Sequence, residues 1–190
     1  GASALSADAM AAVKSGLPYI GYSSAVAASV SELVSGAEYT KLSGAMDCLT
    51  PVTYPTKTLV NASYIADGDD TLYAYGLGYF SKLPDGASVL VKADGSKAPT
   101  EGFIPTNTAE RAAGFKAYMN GGVQGFAYQK DDMNIVLFAN TLTNKVHQRD
   151  EYAYISNFLF SSVLSDKSYG TGSAVSFSDV PSNAYYAEGV

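Results

Sequence analysis

No tryptophan, one histidine and one cysteine occur in these 190 residues, and that scarcity excludes several chemistries at once. A lone Cys48 forbids any intrachain disulfide, so packing alone must hold the fold. Its neighbours Met46 and Leu49 mark it as a buried thiol. A lone His147 cannot build the two-histidine zinc centre of a metallopeptidase. Charged residues make up only 16%, and 12 Lys and Arg against 18 Asp and Glu leave a net charge of −6. With no basic cluster to neutralise phosphates, nucleic acid is excluded and partners are expected to be neutral or cationic. No apolar run approaches the ~20 residues that cross a bilayer. The opening GASALSADAM lacks the basic and apolar regions of a signal peptide, so export would rest on a signal upstream of Gly1.

What is present is a globular composition, 47% hydrophobic, with a polar surface of Ser, Thr, Asn, Gly and 15 Tyr that is common in exported bacterial proteins. Residues 4–14 carry Leu5, Met10 and Val13 among alanines, with Ser6 and Asp8 as cap-like residues, and predict a helix. Residues 18–22 follow as a buried strand, and 24–34 as a second helix closed by Gly36. From Leu59 onward LVNASYIA, TLYAYGLGYF and SVLVKAD, separated by Asp-Gly and Pro-rich breaks, read as strands. GVQGFAYQK and IVLFAN form a hairpin across DDMN, its second strand apolar on both faces and therefore central. A last helix begins near Asp150 and carries Tyr154, Ile155, Phe158, Leu159 and Val163 at helical spacing. After Ser165 the chain turns Gly/Ser-rich.

The stretch PYIGYSSAVAASV places Ser23 at a strand-to-helix corner. Such a corner suits a nucleophile or an anion site, and equally suits close strand–helix packing with no chemistry. The acidic run at 66–70, ADGDD, offers hard oxygens to calcium but lacks the alternating loop and closing glutamate, which favours a solvated turn. Tyr73, Tyr75 and Tyr79 alternate along one strand, where they either line a sugar- or peptide-binding face or pack at its rim.

PYIGYSSAVA resembles the nucleophile elbow of class I glutamine amidotransferases, Gly-x-Cys-x-Gly. Gly21 and Tyr22 match, Ser23 stands at the cysteine, and Ala25 replaces the second glycine. IVLFANTLTNKVHQRDEYAYISNFLFSSV is similar to the closing segment of the amidotransferase-like domain appended to some secreted bacterial zinc carboxypeptidases. Lys145 falls at that segment's arginine, His147 in its turn, and Asn157 at its asparagine. The resemblance extends loosely from Ser6 to Val163, with GFIP at 102–105 included. The tail FSDVPSNAYYAEGV resembles the opening of an S-layer homology repeat, on Phe177, Asp179, Val180, Pro181, Tyr185, Tyr186, Ala187 and Val190.

These resemblances imply a three-layer α/β domain over residues 1–165, flavodoxin-like or class I amidotransferase-like, with its first strands missing or rearranged. A Gly/Ser-rich linker at 166–176 and a truncated repeat at 177–190 would follow. They imply an accessory, non-catalytic domain of an extracellular, cell-wall-attached zinc carboxypeptidase. Its zinc would sit in an upstream catalytic domain, with no cofactor in this fragment. Its partners would be that upstream domain and a peptide, or cell-wall polysaccharide or peptidoglycan. The alternative is a serine-dependent hydrolase or amidase using Ser23, His147 and Glu151, because the amidotransferase histidine motif is replaced here by His147-Gln148-Arg149 with Asp150 and Glu151 the nearest acids.

Overall fold

The computed structural model describes residues 3–99, 101–143 and 151–164. Helix α1, Ala7–Lys14, starts at Ser6, whose side chain accepts from the Ala9 N–H, as its cap chemistry predicts. Strand β1 is Tyr19–Tyr22. The helix expected over 24–34 is two short pieces, α2 (Ser24–Ala28) and α3 (Val30–Leu33), broken at Ser29, whose hydroxyl donates to the Ala25 carbonyl and competes with the helical ladder. Strand β2 then runs for 16 residues, Glu38–Thr53.

LVNASYIA is not a strand. It forms a 3₁₀ turn, Leu59–Asn61, capped by Thr58, and then helix α4, Ala62–Asp67, closed by Gly68 in the left-handed conformation. Strands β3 (Thr71–Lys82) and β4 (Ser88–Ala93) follow, then the short β5 (Glu101–Phe103) and helix α5 (Ala109–Met119). Strands β6 (Val123–Lys130) and β7 (Met133–Phe138) are the expected hairpin, turning at Asp131 with φ 54°. Helix α6, Tyr152–Leu164, ends the described chain.

The seven-stranded sheet overturns the three-layer α/β, flavodoxin-like expectation. Strands β6, β3, β2 and β4 pair antiparallel in a closed ring, a small barrel. Strand β5 is added on β2, while β7 and β1 extend from β6. Only β1 and β7 are parallel, with Tyr19 opposite Ile135 and Tyr22 opposite Phe138. Strand β2 makes the difference, because it contributes to three pairings and closes the ring. Its alternation, with Met46, Cys48, Thr50 and Val52 buried, is carried by two sulfur side chains, a hydroxyl and a single aliphatic residue.

Three cores fill the layers. Val13, Val26, Val30 and Leu33 of α1 to α3 pack on Phe126, Ile135 and Leu137. Tyr64 of α4 and Tyr154 and Phe158 of α6 pack on Ile20, Val136 and Phe138. Phe115 and Tyr118 of α5 cover Met46, Cys48 and Ala74. Alternate residues of β7 thus enter opposite cores, so the doubly apolar strand is central, as its pattern predicts.

The barrel is tight where β2 crosses β3. A Cβ at Gly78 would run into the Thr40 carbonyl and the Tyr39 ring. Gly78→Ala is expected to lower stability by on the order of 3 kcal/mol, seen as a reduced urea midpoint at unchanged slope.

Candidate functional site

Helix α2, which follows β1, packs on one face of the sheet, and α6, which follows β7, packs on the other. Adjacent parallel strands whose following helices diverge in this way mark a topological switch point, the place at a sheet's carboxyl edge where α/β proteins bind ligands. Ser23 stands at the carboxyl end of β1, on this edge of the sheet.

Ser23 itself is held. Its N–H donates to the Phe138 carbonyl at 3.3 Å, and its hydroxyl accepts from the Val26 N–H at 3.2 Å as the cap of α2. It is 8% exposed, and its backbone is extended, φ 160° and ψ 165°, without the strained turn that thrusts a nucleophile forward. Helix α2 is only five residues long, too short to serve as an anion site. Ser24 reaches the other way and accepts from the Leu77 N–H at 2.9 Å.

Glu151 is buried, 7% exposed, and its Oε1 accepts from the Tyr73 N–H at 3.0 Å. Between these two attachments the Thr141 N–H donates to the Tyr75 carbonyl at 3.0 Å. Residues 73, 75 and 77 are alternate positions of β3, presenting backbone groups on the edge away from β2. There β3 meets β6 only at Phe80 opposite Val123. Glu151, Thr141 and Ser24 close that gap, satisfying groups that would otherwise be buried unpaired. Behind them Asn140 donates its side-chain amide to Gln124 Oε1, both residues being fully buried.

His147 and Lys145 lie outside the described residues, as do the linker at 166–176 and the tail at 177–190. Of the three candidate catalytic residues, the structure therefore places Ser23 and Glu151, each in a bond that holds the fold. Asn157 donates to the Val60 carbonyl and Ser63 hydroxyl, pinning α6 on α4. No family model, curated protein or solved structure matches the chain.

The remaining candidates resolve one by one. Among the described residues no group of three or more His, Cys, Asp or Glu is placed to hold a metal. Within ADGDD, Gly68 caps α4 and Asp70 pairs with Lys97 at 2.5 Å, a bond that lowers the exposed Asp70 carboxyl below its usual range. Burial raises the Cys48 thiol, which leaves it unreactive. Tyr79 packs against Tyr118 with ring centroids 6.0 Å apart.

Tyr73 and Tyr75 lie instead on the sheet face opposite the α5 core. Pairing sets Tyr75, Asp47 and Phe103 in one row across β3, β2 and β5, and Tyr73, Leu49 and Glu101 in the next. The Tyr73 hydroxyl donates across the rows to Asp47. Nothing in the sequence placed Asp47 or Phe103 beside Tyr75, because only the pairing of distant strands brings them together. The signal for Ser24 was equally absent, since its partner lies 53 residues away.

Proposed function

We propose that this chain is a non-catalytic binding or positioning domain of a secreted, wall-attached bacterial zinc carboxypeptidase, which acts on peptides or cell-wall peptides. The observation that carries this reading is the engagement of Ser23: its hydroxyl caps α2 and its N–H ties β1 to β7. Glu151 is likewise used by the Tyr73 N–H. One histidine and one buried cysteine do not fit a zinc centre, so the metal chemistry belongs upstream. Net charge −6 and an exposed aromatic such as Phe103 suit recognition of neutral or cationic material.

A serine hydrolase is the second reading, favoured by the position of Ser23 at the switch point. One experiment separates the two. The full chain is incubated with a fluorophosphonate probe and, in parallel, sedimented with Gram-positive cell walls. The expected result is co-sedimentation without labelling. Stoichiometric labelling that disappears in Ser23→Ala would overturn it. As a cap, Ser23→Ala is expected to cost about 1 kcal/mol of stability, read from the urea midpoint.

A further inference from the structure

We infer that the barrel opens locally along the seam between β3 and β6, and that Ser24, Thr141 and Glu151 form the latch that keeps it shut. The other joints of the ring are backbone ladders. Strand β3 is paired with β2 from Thr71 to Lys82, and β4 with β6 from Ser88 to Lys92. The short β2–β4 pairing, Val52 and Thr53 opposite Ala93 and Lys92, is lengthened by two backbone bonds. In these the Asp94 N–H donates to the Pro51 carbonyl and the Thr56 N–H to the Val89 carbonyl. Strands β3 and β6, by contrast, share the single pair Phe80 and Val123. The Phe80 and Phe126 rings meet edge to face with centroids 4.9 Å apart and pin the seam at that end.

From there toward Tyr73 the joint changes character. The Leu77 N–H donates to the Ser24 hydroxyl, the Tyr75 carbonyl accepts from the Thr141 N–H, and the Tyr73 N–H donates to the Glu151 carboxylate. The first and last of these bonds end on side chains, whose rotation releases β3 without moving a neighbouring strand. Opening is also favoured from inside. Asn140 lies against β3, where a Cβ at Gly76 would collide with its Oδ1. That Oδ1 and the Gln124 Nε2 have no hydrogen-bond partner among the described residues, although both side chains are fully buried. Unpaired buried polar atoms raise the free energy of the closed barrel, and water reaching the two amides on opening recovers part of it. Ser24 begins α2, Thr141 follows β7 and Glu151 precedes α6, so the seam is fastened by the segments that make the switch point.

Native-state hydrogen exchange of the full chain, read amide by amide by nuclear magnetic resonance and corrected for intrinsic rates, tests the latch. The Tyr73 and Leu77 amides are expected to exchange about a hundredfold or more faster than those of Leu72 and Ala74, the alternate positions that face β2. Ser24→Ala should then speed exchange about tenfold at Tyr73 as well as at Leu77, because one opening exposes both. Leu72, Ala74 and the β6–β7 hairpin should keep their protection in that variant, which shows that it is folded. Equal protection of the two edges of β3 in the unaltered chain would overturn the inference, since the seam would then open only with the whole fold. Faster exchange confined to Leu77 in Ser24→Ala would overturn it too, because the bonds would then break one by one and not as a latch.

Discussion

Phe138→Ala is expected to remove about 3–5 kcal/mol of stability, enough to leave the fold marginal. Phe138 is fully buried at the end of β7, its ring 4.7 Å from that of Tyr154, so it joins the sheet to α6. Space for the ring is made by Gly125 on β6, where a Cβ would stand 2.5 Å from the ring edge. Removing the ring leaves a hole over a glycine, whose backbone cannot collapse to fill it without breaking the β6 pairing. The loss also loosens the carbonyl that receives the Ser23 N–H, so the switch point would be disordered with the core. Urea unfolding followed by far-ultraviolet circular dichroism measures the effect. Phe160→Ala, with its ring 58% exposed, is the control and should stay within about 0.5 kcal/mol.

Raising the pH above 10 is expected to unfold the protein cooperatively. Burial pushes Tyr54 up to about 12, and it raises Tyr118 and Tyr154 as well. Each of these phenols binds its proton more tightly in the folded chain than in the unfolded one. Their contribution to stability is therefore complete below pH 10 and falls away as pH climbs from 10 toward 12. For Tyr54 the loss is on the order of 2 kcal/mol after allowance for its partial exposure. Tyr54 and Tyr154 belong to one neighbourhood with Tyr64, which stacks on Tyr154 at 3.9 Å, so a tyrosinate formed there is close to other oxygens and to Glu151. Tyrosinate absorbance should rise in two stages, the later one, from the buried rings, coinciding with loss of circular dichroism. A single smooth titration with native dichroism intact would contradict this. Tyr154→Phe removes one buried phenol and should move the unfolding step to higher pH.

Together these two expectations locate the weak point of the chain. The α6 core and the switch point share Phe138 and lie to either side of Glu151, so damage to the helix's seat is felt at the residues that resemble a catalytic elbow. That coupling is why Ser23→Ala must be read against stability before any change in binding or reactivity is assigned to the hydroxyl.

Much of the local structure was legible in the residues themselves. Ser6 as a cap, Tyr19–Tyr22 as a strand, the β6 and β7 hairpin with its doubly buried second strand, the start of α6 and the burial of Cys48 all follow from short-range signals: cap chemistry, turn residues and apolar period. That no intrachain disulfide can form within these residues follows from counting alone, since Cys48 has no second cysteine to pair with. The architecture was decided elsewhere. A helix–strand–helix opening is the same whether the strands that follow lie flat between two helical layers or curl into a ring, and the choice is made by β2, whose pairings reach from Glu38 to Lys82 and from Thr53 to Lys92. Those contacts join residues tens of positions apart, for which no local pattern exists. The same holds for function: Ser23 looks reactive as a corner residue and becomes a cap once Val26 and Phe138 are in place. Tyr75 stands beside Asp47 and Phe103 only because strand pairing sets them there.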